Sequence, residues 1–132
     1  RKSDYVSALK QTVHERDLPI TFCGLRSDIT EIYASANLVL SLSSKPESFG
    51  RTVLEPLSLG VPVIGYDQGG VGEILQAMFP EGRVAPGDVT AVTAKAREFI
   101  KTPPQVRHEN PYPLHLMQEQ TLTLYQELCG KA

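Results

Sequence analysis

The chain has 132 residues, a length that fits one domain and allows a buried core. Apolar residues make up 41% and charged residues 21% of the sequence, which is typical of a soluble globular domain. A formal net charge of −2 provides no global field, so we expect neither nucleic acid nor an anionic membrane surface as a direct partner. No apolar run approaches the ~20 residues of a membrane span, and no signal peptide is visible.

The cysteines and histidines predict neither a disulfide framework nor a metal site. Cys23 and Cys129 are the two cysteines, and this usage favours a reducing, cytoplasmic setting. We expect Cys23 to be a buried strand residue. The three histidines match no ligand spacing and have no nucleophile partner; they are His14, His108 and His115. We therefore predict no metal and no cofactor.

The first third of the chain predicts helix, strand and helix. Ser3 can cap a helix whose apolar side carries Tyr5, Val6, Leu9 and Val13. Residues 20–23 predict a short apolar strand that ends at Gly24. Ser27 or Asp28 then caps a second helix, whose predicted buried stripe consists of Ile29, Ile32 and Tyr33.

Residues 38–43 and 62–66 predict two strands, and the continuously apolar stretch Leu38-Val39-Leu40 favours a sheet that is covered on both faces. A short helix over 71–77 and a brief strand at 83–85 follow. Asp88 caps a further helix that ends at Pro103-Pro104, with inward residues Val92, Ala96, Phe99 and Ile100. The alternation predicts an α/β fold: a Rossmann-like parallel sheet of three to four strands with helices on both faces, in one domain over 1–132.

A final amphipathic helix is predicted within 114–132. Its apolar positions are Leu114, Met117, Thr121, Leu124, Tyr125 and Leu128.

The segment Pro46-Glu47-Ser48-Phe49-Gly50-Arg51-Thr52-Val53-Leu54-Glu55 is the main functional signal. It joins the strand at 38–43 to a helix that ends near Gly60, so Glu47 lies in the loop and Glu55 in the helix. Such turns lie at the carboxyl ends of parallel strands, where ligands bind. Paired carboxylates there can accept hydrogen bonds from sugar or ribose hydroxyls. Two unrelated surface glutamates would have the same spacing.

Residues 20–74 as a whole resemble the donor-binding half of retaining glycosyltransferases of family 4, which have the two-domain GT-B architecture. Five segments carry the resemblance in order: residues 20–24, 32–40, 47–55, 60–64 and 69–74. The resemblance implies transfer of a sugar from a UDP-, GDP- or ADP-sugar donor, with retention of configuration and without a required metal. A role in cell-envelope polysaccharide synthesis is the associated expectation.

The resemblance also implies roles for single residues. Glu47 would lie beside the transferred sugar as the catalytic residue, and Glu55 would accept hydrogen bonds from both ribose hydroxyls. Phe49 and Gly50 would present backbone N–H groups to the donor, although Phe49 could equally cap the core. The amides of Arg51 and Thr52, at a helix start, suit a phosphate, although Thr52 is equally explained as a helix cap.

Three further positions complete the implied donor site. Leu25 and Ser43 would flank the base. Gly69 and Gly70, in a glycine-rich turn, would contact sugar or phosphate, or simply form a tight turn. Pro56 should stand in the first helical turn or mark a kink, and so fix how Glu55 enters the site.

The resemblance further implies that an amino-terminal acceptor domain is missing, together with the strand–loop–helix whose arginine and lysine grip the donor diphosphate. We therefore expect this chain alone to be inactive, and any peripheral membrane association to come only through the parent enzyme. The helix within 114–132 would pack on the missing domain. Without that domain, its apolar stripe would favour a homodimer or other self-association.

Two other classes of protein stay open at this point. A nucleotide-sugar 2-epimerase shares the architecture but lacks the segment from Pro46 to Glu55. A non-catalytic receiver-like or nucleotide-binding module would need an acidic cluster after an early strand, which the strand ends at Gly24, Ser43-Ser44 and Tyr66-Asp67 do not supply.

Overall fold

The computed structural model of the chain describes residues 2–45 and 50–106. Helices and short parallel strands alternate along the described part, as the sequence predicts. The elements are α1 (Lys2–Glu15), α2 (Ile29–Ser35), β1 (Val39–Ser41), α3 (Arg51–Ser58), β2 (Val63–Tyr66), α4 (Gly69–Met78), a short 3₁₀ helix (Pro80–Gly82), β3 (Arg83–Val84) and α5 (Val89–Lys101).

The three strands form one parallel sheet in the order β1-β2-β3. Val39 pairs with Val63, and Gly65 pairs with Arg83. All four residues of β2 are buried, so both faces of the sheet are covered at its central strand. The predicted α/β class and parallel sheet are confirmed, with three strands among the described residues.

The core lies around β2, where α3 and α4 pack on it. Its largest fully buried side chains are Val53, Leu54, Pro56, Leu57, Val63, Ile64, Leu75 and Phe79. Helix α4 runs so close to β2 that a Cβ on Gly65 would stand 2.9 Å from Val71 Cγ1 and 3.0 Å from Leu75 Cδ1. On α5, Val92 and Phe99 are buried, and the ring of Phe99 lies 5.7 Å from that of Phe79. Helices α3 and α4 are therefore held tightly against the strand that ends at the candidate site.

The predicted strand at residues 20–23 is wrong, because this segment forms neither strand nor helix. Ile20 is 52% and Phe22 42% exposed, and the Cys23 thiol is exposed instead of buried. An apolar run becomes a strand only when another strand offers its backbone groups for pairing. The described sheet has no strand that pairs with this segment.

Side-chain burial near β1 also differs from the prediction. Leu40 is 49% exposed, since β1 is an edge strand of the described sheet and is covered less than β2. Helix α2 begins after Asp28, as predicted, but its expected stripe of Ile29, Ile32 and Tyr33 is not buried. Ser3 lies inside α1 and does not cap it.

Helix α5 begins and ends where the sequence predicts. Asp88 is its N-cap and accepts a hydrogen bond from the backbone N–H of Ala91 at 3.0 Å. Ile100, expected to point inward, is 69% exposed. The predicted helix within 114–132 lies outside the described residues. None of the described helices is long and apolar enough to cross a membrane.

Candidate functional site

The candidate site begins where β1 and β2 end and the helices α3 and α4 begin. Helix α3 starts at Arg51, and its N-cap is Gly50 with φ 68° and ψ 33°. The carbonyl of Gly50 accepts hydrogen bonds from the N–H groups of Val53 and Leu54, at 3.0 and 3.1 Å. This left-handed backbone conformation is one that glycine adopts without strain, so the residue type at 50 fixes how the chain enters α3.

Gly50 also brings α3 against α4. A Cβ at Gly50 would stand 2.9 Å from both the carbonyl carbon and the oxygen of Gly70, and 3.0 Å from Ile74 Cδ1. Gly69 and Gly70 are the first two residues of α4, so the predicted glycine-rich turn is in fact the first turn of a helix. Two helix amino termini therefore meet at the carboxyl end of the sheet. We call this place the paired amino termini, Gly50–Thr52 and Gly69–Gly70.

The electrostatics of the paired amino termini favour an anion. Each helix amino terminus carries a partial positive charge from backbone N–H groups that have no partner inside the helix. Two such ends lie side by side, and neither first turn contains an acidic side chain. The Asp67 carboxylate, just before α4, lies beside Gly72 and has Arg83 as a partner at 3.9 Å. Phosphate groups bind at helix amino termini for these reasons.

Glu55 and Arg51 form an ion pair on α3, with Arg51 Nη2 2.9 Å from Glu55 Oε1. The Glu55 side chain is 28% exposed and that of Arg51 47%, so the pair adds little to stability. The carboxylate predicted to accept ribose hydroxyls thus already has a cationic partner beside it. The described ion pair uses Glu55 Oε1.

Pro56 lies inside α3, beyond its first turn, and follows Glu55 directly. Its carbonyl accepts the N–H of Val61 at 2.9 Å, which turns the chain toward β2. The expectation that Pro56 stands in the first turn is therefore wrong. The other predicted alternative, a helix kink at Pro56, stays a prediction.

Two hydroxyl residues at the end of β1 connect the strand to the helices. The hydroxyls of Ser41 and Thr52 lie 3.0 Å apart in a hydrogen bond, which holds the first turn of α3 to β1. The Ser43 hydroxyl donates to the Lys45 carbonyl at 3.2 Å and accepts the Lys45 N–H at 3.3 Å. Ser43, predicted to flank the base, is exposed and lies in this same region.

Gln68 is a site residue that sequence reasoning missed. Its side-chain amide donates to the carbonyls of Ser43 and Ser44, at 3.1 and 3.4 Å, and so connects the loop after β1 to the start of α4. A small cavity beside it is lined by Ser41, Ser43, Lys45, Tyr66, Gln68 and Val71. The sequence feature that could have identified Gln68 is its position between the end of β2 and Gly69-Gly70.

Three predicted site residues remain, namely Leu25, Glu47 and Phe49. Leu25 is fully exposed and packs on nothing, so the described structure does not join it to Ser43. Near Leu25 in the chain, the hydrogen-bonded Arg26 guanidinium lowers the pKa of the Asp28 carboxyl.

Glu47 and Phe49 lie outside the described residues. Within 2–45 and 50–106, no three His, Cys, Asp or Glu side chains are grouped so that they could hold a metal ion.

Comparison with known proteins gives one family over most of the chain. The family described as glycosyl transferases group 1 matches residues 3–111. The chain is similar to N-acetyl-alpha-D-glucosaminyl L-malate synthase of Bacillus anthracis, with 36% identity over 93 residues. It is also similar to a sulfoquinovosyl transferase of Arabidopsis thaliana, with 34% identity over 89 residues. These matches cover 70% and 63% of this chain but only 24% and 17% of the two relatives.

Among solved structures, the fold is similar to that of Anabaena HepE. The crystal structure of HepE in complex with UDP gives a TM-score of 0.68 at 28% identity, covering 76% of this chain and 28% of that one. The complex with UDP-glucose gives a TM-score of 0.67 at 29% identity, covering 75% and 28%.

The contact between Gly50 and Gly70 predicts the outcome of one substitution pair. Gly50→Ala and Gly87→Ala both place a Cβ on a residue with positive φ, 68° and 82°, but only at Gly50 does that Cβ meet other atoms. In urea unfolding, we expect Gly87→Ala to lower the free energy of unfolding by about 1 kcal/mol. Gly50→Ala should lower it by about 2–4 kcal/mol, because α3 and α4 must also separate. Equal losses would contradict the close contact.

Proposed function

Since this chain belongs to the glycosyl transferases group 1 family, we propose that it forms the donor-binding part of a glycosyltransferase. The enzyme would move a sugar from a nucleotide diphosphate sugar to a glycan, lipid or polysaccharide-precursor acceptor. Within the group, the segment from Glu47 to Glu55 favours family 4 and the GT-B architecture. The observation that carries the proposal is the pair of helix amino termini beside Glu55, at the carboxyl end of a parallel sheet.

The donor diphosphate is assigned to the paired amino termini. Two phosphate groups carry more charge than one helix end can balance, and the Gly50–Gly70 contact aligns two ends on one place. Gly69, the first residue of α4, is exposed and has no side chain, so a phosphate oxygen can approach the backbone there. No metal is needed for this arrangement, because the backbone dipoles supply the positive field.

The ribose is assigned to Glu55. A carboxylate has two acceptor oxygens, which matches a vicinal diol, and charge-assisted hydrogen bonds are roughly twice as strong as neutral ones. Glu55 lies one helical turn from the start of α3, so a ribose attached to a phosphate at that start comes within reach of it. Arg51 holds one of those oxygens in the ion pair and has to share it, or turn to the phosphate, when the ribose binds.

UDP is the first candidate for the nucleotide, ahead of GDP and ADP. Support comes from HepE, a protein of similar fold whose crystal structures contain UDP and UDP-glucose. Ser43 lies at the end of β1, where it can contact the base. Leu25, whose side chain is exposed, is proposed to flank the base on its other side.

The chemistry is proposed as transfer with retention of the anomeric configuration, in the complete enzyme that contains this chain. Glu47 would contact the transferred sugar and stabilise the charge that develops on it. The acceptor would come from an amino-terminal domain, and the setting would be cytoplasmic. The family match favours this reading over a receiver-like module.

The assignment of Glu55 to the ribose predicts a selective loss of UDP affinity. In titration calorimetry with UDP, Glu55→Gln keeps the shape but loses the negative acceptor, which should weaken binding by about 1–3 kcal/mol. Glu98→Gln, on the exposed side of α5, is the matched control and should bind as the unmodified chain does. The titration should extend to millimolar UDP, so that weak binding is also measured.

Deoxy nucleotides make this test specific for the ribose. With 2′-deoxy-UDP, the unmodified chain should lose affinity, whereas Glu55→Gln should bind UDP and 2′-deoxy-UDP about equally. If removal of the 2′-hydroxyl weakens binding equally in the unmodified chain and in Glu55→Gln, then Glu55 does not accept a hydrogen bond from that hydroxyl.

The proposed role of Glu47 predicts a separation between turnover and binding. In the complete enzyme, Glu47→Ala should lower kcat by about 10²–10³-fold, because it removes charge stabilisation in the transition state. Affinity for UDP should change far less, since UDP lacks the transferred sugar that Glu47 would contact. The anomeric configuration of the product, measured by NMR, should match that of the donor. Inversion, or full turnover of Glu47→Ala, would refute this part of the proposal.

A further inference from the structure

Gln68 connects two loops that the proposed donor site uses. It stands between β2 and α4, and its side-chain Nε2 lies 3.1 Å from the Ser43 carbonyl and 3.4 Å from the Ser44 carbonyl. These carbonyls belong to the loop that leaves β1, about 25 residues earlier in the chain. A single side chain thus crosses from the second strand end to the first.

The backbone of Gln68 is fixed on both sides. Its N–H donates to the Tyr66 carbonyl at 2.8 Å, and its carbonyl accepts the Gly72 N–H at 3.1 Å. Although Gln68 occupies the N-cap position of α4, its side chain makes no capping hydrogen bond to that helix. The side chain is therefore committed to the neighbouring loop and not to the stability of its own helix.

Among the described residues, the loop at Ser43–Lys45 has few other anchors. Ser43, Ser44 and Lys45 are exposed, and the described hydrogen bonds among them are local ones between Ser43 and Lys45. A loop with little burial has to be ordered when a ligand binds, and that ordering lowers the affinity. A residue that orders the loop beforehand removes this cost.

We propose that Gln68 is a positioning residue for the nucleotide donor: it orders the loop at Ser43–Lys45 in advance, and so raises donor affinity without touching the donor's reacting atoms. This inference rests on the proposed function, because it assumes that the donor lies against this loop. It adds a role for a residue that neither the carboxylate pair nor the glycine-rich helix start includes.

Two variants separate positioning from helix capping. Gln68→Ala removes the amide. Gln68→Asn keeps an amide and is a better N-cap residue, but it is one methylene shorter and does not reach the two carbonyls. If Gln68 only stabilised α4, Asn would be tolerated or improve stability. If Gln68 positions the loop, Asn should fail as Ala does.

The test combines calorimetry with UDP, thermal unfolding and amide hydrogen exchange at Ser44 and Lys45. We expect both variants to bind UDP about three- to tenfold more weakly, the equivalent of one lost hydrogen bond. Exchange at Ser44 and Lys45 should become faster in both, while the melting temperature of Gln68→Asn stays at or above that of the unmodified chain. Gln76→Ala, an exposed glutamine on the same helix, is the control and should change neither affinity nor this exchange.

The outcomes distinguish this inference from the proposed function. If the unmodified chain and Gln68→Asn bind UDP with equal affinity, the positioning role is overturned and the proposed function is not. Unchanged exchange at Ser44 and Lys45 in both variants would also overturn it, whatever UDP does. If the unmodified chain binds no UDP, the nucleotide assignment fails and the donor-positioning role fails with it, even if the exchange data show that Gln68 orders the loop.

Discussion

The approach of the Gly50 and Gly70 backbones sets the geometry of the whole site. A side chain at residue 50 would overlap the carbonyl of Gly70, so the two helices can start side by side only because this position has no Cβ. The contact also depends on β2, whose buried residues hold α3 and α4 on the sheet. A packing constraint between backbones thereby places two partial positive charges side by side at the carboxyl end of the sheet.

Polar contacts around the paired amino termini follow from this arrangement. The Ser41–Thr52 hydrogen bond fastens α3 to β1, and Gln68 fastens the loop after β1 to α4. Glu55 then lies one turn along α3 with Arg51 as its partner. Positive ends for a diphosphate and a carboxylate for a diol are thus placed within one helical turn. Their relative positions, and not the residue types alone, favour a nucleotide over an unrelated anion.

The sequence predicted the parts of the fold whose cause is local or continuous in the chain. The apolar run at 62–66 gave the buried central strand, and Asp88 gave the start of α5, because burial pattern and capping are properties of a few neighbouring residues. Residues 20–23 failed as a strand because pairing depends on a partner elsewhere in the chain. The predicted burial of Leu40 was wrong for the same reason, because burial there depends on which strands lie beside β1.

The candidate site was predictable to the same extent. The sequence predicted that Arg51 and Glu55 belong to one helix after β1, and that Gly69 and Gly70 lie where the chain passes from β2 into the next helix. Sequence patterns did not predict that Gly50 touches Gly70, or that Gln68 reaches Ser43 across 25 residues of chain, because both depend on how two βα units pack. Leu25 was placed at the site by resemblance alone; it is exposed, and its contact with the base stays a prediction.

The most direct measurement is an NMR titration of the ¹⁵N-labelled chain with UDP, following backbone amides. If the diphosphate binds at the paired amino termini, the amides of Gly50, Arg51, Gly69 and Gly70 should shift together with one dissociation constant, and inorganic phosphate should shift the same amides more weakly. Saturable shifts confined to other surfaces, such as the cavity lined by Gln76, Phe79 and Gln105, would contradict the account.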